Sequence, residues 1–233
     1  MLKKRISAVY RALKKEFSAH AAPVIELIEA QTEDPFCVLV GTILSSRTKD
    51  ACTRGAVERL FGAAKHKTGD KVFTPDDLER LSVEEIEKLI YPVGFFREKA
   101  KHLKKLPIVL KAKFNGVLPS TVEELCELPG VGRKTANLTV AVGFKKPAIC
   151  VDVHVHRINN NLGIIKTKTP LESEMALRSI LPKRYWMAWN SYFVSFGQTR
   201  CDPIRPKCVG CPVAVYCSSP KKQKLKNRAF KTV

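Results

Sequence analysis

The chain has 233 residues, with 41 Lys or Arg against 22 Asp or Glu, a formal net charge of +19. Hydrophobic residues make up 45% of it, enough for a packed core, which excludes a disordered basic tail as the whole protein. The longest uncharged run, Tyr185 to Thr199, is fifteen residues and includes Asn190, Ser191, Ser195 and Gln198, short of the roughly 20 apolar residues of a membrane-crossing helix. Arg11, Lys14, Lys15 and Glu16 interrupt the segment after the basic start, so no secretory leader is read there and an intracellular, soluble protein is expected. Basic residues recur along the chain and do not gather on one amphipathic face. That distribution favours nucleic acid over an anionic membrane surface or a solvated surface with no partner.

Taken in chain order, helix signals dominate. Leu2, Ile6, Val9, Tyr10, Leu13 and Phe17 have the spacing of one helical face, predicting a helix over 2–17. Asp34-Pro35 then separates it from an apolar segment, Phe36 to Ser46. Capping signatures follow at Thr74-Pro75-Asp76-Asp77, Ser82-Val83-Glu84-Glu85, Ser120-Thr121-Val122-Glu123 and Thr169-Pro170-Leu171-Glu172. Each supplies oxygen acceptors to the free N–H groups of a first turn, and Pro75 and Pro170 fall where a helix can lack an N–H. A second apolar helix is expected over Thr135 to Phe144, broken by Lys145-Lys146-Pro147. Ala148 to Val155 is the best strand candidate and too isolated to build a sheet, so the fold is expected to be all-α. Trp186, Trp189, Phe193 and Phe196 repeat at helical spacing and are expected in the core. A basic tail at 218–233 is expected to be mobile.

Leu128-Pro129-Gly130-Val131-Gly132-Arg133-Lys134-Thr135-Ala136-Asn137 places two glycines in a turn between a capped helix and a second helix. Gly130 and Gly132 permit φ > 0 and close approach of a partner, and the amides opening the second helix suit a phosphate, with Arg133 adding charge. Taken alone, such a turn is more often a plain helix–helix connection. Of eight cysteines, Cys201, Cys208, Cys211 and Cys217 crowd into seventeen residues. Four thiolates at this spacing suit Zn²⁺ or a [4Fe–4S] cluster, and spacing alone leans to zinc as the commoner metal. Arg205 and Lys207, in the loop between the first two, can reach DNA phosphates. Cys37, Cys52, Cys126 and Cys150 sit in apolar stretches and are expected to be buried thiols.

Together the hairpin, the stretch Val151-Asp152-Val153-His154-Val155-His156-Arg157 and the four cysteines resemble the endonuclease III family of helix–hairpin–helix DNA glycosylases. Order and spacing agree from about Pro35 to Cys217. The resemblance implies two helical subdomains with a C-terminal iron–sulfur loop. One is expected at 36–146, with the helix–hairpin–helix at about 121–144, and the other combines 1–35 with 147–233. A cleft between them is expected to take the flipped base.

The resemblance also assigns roles. Lys134 becomes the nucleophile, its amine favoured by Arg133 and the helix start, and Asp152 the essential carboxylate. The four cysteines become ligands of [4Fe–4S] in preference to zinc. Arg47, where the family usually carries Gln, is expected to fill the gap in the base stack, and Phe95, where Leu is frequent, to wedge the opposite strand. Asp50 is placed near the pocket, and His154 is left out of the catalytic set. The implied function is a bifunctional glycosylase and abasic-site lyase removing oxidised pyrimidines from damaged double-stranded DNA, acting as a monomer. Its rivals are a monofunctional adenine or thymine mismatch glycosylase, which usually lacks the lysine, and a non-catalytic DNA-binding module.

Overall fold

The computed structural model describes residues 1–18, 24–68 and 72–219; the basic tail from 220 onward lies outside the described residues. No strand forms among the described residues, so the all-α expectation holds. The helices in chain order are α1 (Leu2–Phe17), α2 (Val24–Thr32), α3 (Pro35–Ser45), α4 (Asp50–Thr68), α5 (Pro75–Arg80) and α6 (Val83–Ile90). They continue with α7 (Phe96–Phe114), α8 (Val122–Leu125), α9 (Arg133–Leu138), α10 (Val153–Asn161), α11 (Pro170–Ile180) and α12 (Lys183–Thr199). None of them is long and apolar enough to cross a membrane.

Local chemistry explains where these helices begin. Asp34 accepts from the Cys37 N–H at 2.8 Å and Pro35 opens α3. Thr74 with Asp77, and Ser82 with Glu85, form reciprocal capping boxes on α5 and α6, and Thr169 caps α11. The cap of α8 sits one residue later than the signature suggested: Thr121, not Ser120, accepts from the Glu124 N–H, while the Ser120 hydroxyl takes up Lys146. The single helix expected over Thr135 to Phe144 is not continuous. α9 ends at Leu138 and a π-helical turn, Thr139–Gly143, follows, closed by the Phe144 N–H on the Thr139 carbonyl. The Thr139 hydroxyl donates to the Thr135 carbonyl, occupying an acceptor of the regular ladder where the winding widens. The strand candidate, Ala148 to Val155, does not form: 148–152 stay outside regular structure and Val153 to Val155 are the first turn of α10, which Asp152 caps.

The chain divides into two compact units, Pro23–Ala148 and Met1–Ala22 with Ile149–Val233. The boundaries expected at 35/36 and 146/147 therefore fall at 22/23 and 148/149. α2 packs on α3, α4 and the π turn, which keeps it in the first of these units. There α3 is buried on every side from Phe36 to Leu44, as suits a central helix ringed by others. In the other unit Ile6, Val9 and Leu13 of α1 pack with Val155, Ile158, Leu177, Trp189, Phe193 and Phe196. Trp186, expected in the core, is only partly buried and packs against it.

Cys37 and Cys150 are buried as expected, and burial pushes the Cys37 thiol up to about 12, so it stays protonated. Cys52 is half-buried and Cys126 exposed, contrary to expectation. Cys126 is the C-cap of the short α8, and the side buried there is taken by Leu125 and Leu128, so its apolar sequence surroundings do not cover it.

Candidate active site

Of the two hairpin glycines only Gly130 uses the left-handed freedom; Gly132 is extended, at φ −92°. Gly130 has φ +75°, and a Cβ there would lie 2.9 Å from the His102 Nδ1 beneath it. Both conditions favour glycine. The Val131 N–H donates to the Leu128 carbonyl at 3.2 Å and Gly132 caps α9 with open space above its Cα. Arg133 and Lys134 follow in the first turn, Lys134 exposed and Arg133 half-buried. The Arg133 guanidinium reaches Glu123 at 3.7 Å, tying the two helices of the hairpin across the turn.

Asp152 is the N-cap of α10: its Oδ1 accepts from the Val155 N–H at 2.8 Å, and 8% of the residue is exposed. The cap holds the carboxylate in one rotamer and leaves Oδ2 outside that bond. Lys134 belongs to the Pro23–Ala148 unit and Asp152 to the other. His154 packs against Gly197, where a Cβ would come within 2.3 Å of the ring Nδ1, so its place is structural.

Arg47 and Phe95 come together. The guanidinium lies 5.4 Å from the centre of the Phe95 ring. Both residues adopt left-handed backbone, φ +53° and +58°, and Phe95 is 62% exposed, so core packing does not hold it. Phe96 does pack, edge-on to Tyr91 at 5.5 Å. Asp50 does not join this pair. It opens α4, and its Oδ2 accepts from the Val24 N–H at 3.4 Å, which ties it to the start of α2.

Cys201, Cys208, Cys211 and Cys217 border one cavity of about 290 Å³ beside the core of their unit. Among the described residues no three metal-binding side chains close to cage spacing. The donor set nevertheless fits a thiolate-held group. Burial, and the neighbouring Cys201 and Cys217, raise the Cys211 thiol, so a bound cation is what would favour the charged form. Arg157 approaches the Cys201 Sγ at 3.4 Å and donates to the Cys201 carbonyl at 2.6 Å. Asp202 accepts from the Ile204 and Arg205 amides, both at 2.7 Å, which shapes the loop that leaves Arg205 and Lys207 exposed.

Sequence reasoning passed over Lys99. It is 7% exposed, and its Nζ donates to the Leu44 and Ser46 carbonyls and the Thr48 hydroxyl. A signal was present: Lys99, Leu103, Leu106 and Leu110 share one helical face, and all four are buried.

The chain as a whole is similar to known proteins. Residues 40–183 match the family described as HhH-GPD superfamily base excision DNA repair protein. The chain is 44% identical over 184 residues to Endonuclease III of Thermotoga maritima, spanning 79% of this chain and 83% of that one. It is 43% identical over 199 residues to Endonuclease III homolog 2, chloroplastic, of Arabidopsis thaliana, of which it spans 50%. Among solved structures, a trapped endonuclease III–DNA covalent intermediate in an estranged-adenine complex superposes with a TM-score of 0.81 at 36% identity. That likeness covers 95% of this chain and 98% of that one. The chain belongs to the HhH-GPD superfamily of base excision DNA repair proteins and, within it, to the endonuclease III family.

Proposed function

We propose that the protein is a bifunctional DNA glycosylase and abasic-site lyase that removes oxidised pyrimidines from double-stranded DNA. The observation that carries this reading is an exposed lysine, Lys134, directly behind a glycine hairpin with open space over Gly132. The relative trapped covalently on DNA supports it. The hairpin backbone, with Arg133, approaches a DNA phosphate on the open side of Gly132, where a side chain at 132 would stand in the way.

The target nucleotide must leave the stack before C1′ can be reached. The neutral Lys134 amine attacks C1′, forming a C–N bond as the C1′–base bond breaks and its electron pair departs with the base. Asp152 stabilises positive charge on the sugar and takes up the proton that Lys134 sheds. The C1′–O4′ bond then opens, O4′ receiving the proton held by Asp152, and the resulting iminium acidifies C2′. Loss of a C2′ proton expels the 3′ phosphate by β-elimination, and water then releases Lys134. Arg47 and Phe95 fill the space left in the duplex. Asp50, which holds the start of α2 through the Val24 N–H, is assigned a place near the pocket.

Cys201, Cys208, Cys211 and Cys217 are assigned as ligands of a [4Fe–4S] cluster. Such a group supplies a crosslink that fastens the 201–217 loop to the core and presents Arg205 and Lys207 to DNA phosphates. The protein acts as a monomer, inside the cell.

The test is borohydride trapping on a duplex with one thymine glycol, with Lys134→Gln in parallel. A covalent adduct in the wild type alone is expected. Base release without an adduct makes water the nucleophile and the enzyme a monofunctional glycosylase. Binding without release across a lesion panel leaves a DNA-binding module.

A further inference from the structure

A lysine on the buried face of α7 needs an account. Packing there is served by an apolar residue with a smaller desolvation cost. No carboxylate among the described residues pairs with Lys99, and burial lowers its pKa to about 8. What it finds instead is a complete set of acceptors: the Leu44 carbonyl at 2.9 Å, the Ser46 carbonyl at 2.6 Å and the Thr48 hydroxyl at 3.3 Å. Leu44 and Ser46 stand at the C-terminus of α3, where carbonyls have no further helical N–H and the partial negative charge favours a cation. α7 thus closes α3 with a cation from outside the helix.

The Thr48 hydroxyl is satisfied in full. It donates to the Ser46 carbonyl at 3.2 Å and accepts from Lys99 and from the Gly94 N–H at 3.1 Å. Gly94 lies so close that a Cβ would sit 2.5 Å from the Arg47 carbonyl. These bonds bracket Arg47 on one strand of the fork and Phe95 on the other. Both are in a left-handed backbone that such side chains keep only when their surroundings hold them.

We propose that Lys99 is a positioning residue for entry into the DNA stack, joining the end of α3, Thr48 and the turn before α7 into one rigid fork that presents Arg47 and Phe95 together. The inference rests on the glycosylase reading, in which those two side chains enter the duplex. Lys99 touches neither DNA nor the reacting atoms; it acts through the conformation of the two tips.

The experiment uses the full-length protein with its cofactor and two substrates. One is a duplex carrying a tetrahydrofuran abasic analogue opposite 2-aminopurine, whose fluorescence reports unstacking. The other is a single-stranded oligonucleotide with one abasic site, which has no stack to fill. In Lys99→Met we expect the 2-aminopurine response to disappear and duplex affinity to fall about 10- to 100-fold, the scale of a displaced positioning group. Cleavage of the single strand is expected to stay within about twofold of wild type, which also shows that the variant is folded. Thr48→Val removes one shared partner, is expected to lose part of the same response, and carries the test if Lys99→Met does not fold. An unchanged fluorescence response in the folded Lys99→Met protein, or in Thr48→Val where Lys99→Met does not fold, overturns the proposal. Equal losses on duplex and single strand also overturn it, since they indicate general damage. A wild-type protein that cleaves yet gives no 2-aminopurine response overturns the stack-entry reading itself, and a wild type that does neither overturns the glycosylase reading.

Discussion

The Arg47 guanidinium lies 5.4 Å from the centre of the Phe95 ring, with both residues exposed and each in a left-handed backbone conformation. Two residues far apart in sequence therefore make one cationic, aromatic tip before any DNA is bound. A guanidinium over an aromatic face is attracted by the ring quadrupole, and at an exposed site this contributes about 0.5–1 kcal/mol. The pairing also restricts where each side chain can go.

Phe95→Ala is expected to weaken binding to an abasic-site duplex about tenfold, the loss of one base–aromatic stack. Its melting temperature should barely move, because the ring is exposed. Combined with Arg47→Ala in a double-mutant cycle, the two losses should be less than additive, since each removal strips the other of its partner. Fluorescence anisotropy on the four proteins measures this. Full additivity means the two side chains act independently.

Asp152 has a structural and a chemical duty that substitution can separate. Asn caps a helix as well as Asp does, so Asp152→Asn should retain stability and lose base release. Asp152→Ala should lose activity and also about 1 kcal/mol of stability with the cap. Denaturant unfolding beside single-turnover base release distinguishes the two. An active Asp152→Asn enzyme removes the carboxylate from the chemistry.

Gly130→Ala sets a side chain against His102 at a backbone angle of φ +75°. We expect a stability loss of about 1–3 kcal/mol for the strained residue, and weaker binding to all duplexes, damaged or not. Urea unfolding and affinity for an undamaged duplex check it, and a neutral substitution contradicts the close fit of hairpin on His102.

Lys99 gives a pH signature. Its ordinary value near 10.5 falls to about 8 in the folded protein through burial. Below that folded value both states are protonated and the cost of burying the charge is fully present. Between about pH 8 and about pH 10 the unfolded chain holds more protons, so stability contributed by this residue rises with pH. The stability of wild type relative to Lys99→Met should therefore climb across that window, as measured by unfolding at a series of pH values. A flat difference means that Lys99 does not titrate there.

How much was legible in advance depended on how local the cause was. α1 appears over the residues its apolar spacing indicated, and Thr74, Ser82 and Thr169 cap the helices they precede. These are interactions within one or two turns, decided by neighbours in sequence. The chemistry expected of Lys134, Asp152 and the four cysteines had another source: each stretch alone left a plainer reading open, and it was their joint order along the chain, as a resemblance to a family, that assigned the roles. The π turn after α9 was not legible, because a threonine back-bond to a carbonyl is one of several options open to that residue. Nor was the placement of α2, whose allegiance is decided by which apolar face it meets.

By itself, then, the sequence determined an all-helical chain, its caps, its hairpin and a thiol-rich loop, all through short-range geometry. Only the tertiary structure decided that Arg47 meets Phe95, that Gly94 leaves no room for a Cβ, and that a lysine sits buried among carbonyls at the end of α3. The physical reason is that an ammonium is tolerated inside a protein only where acceptors converge on it. Those acceptors come from a segment distant in sequence, so the convergence exists only once the helices have packed.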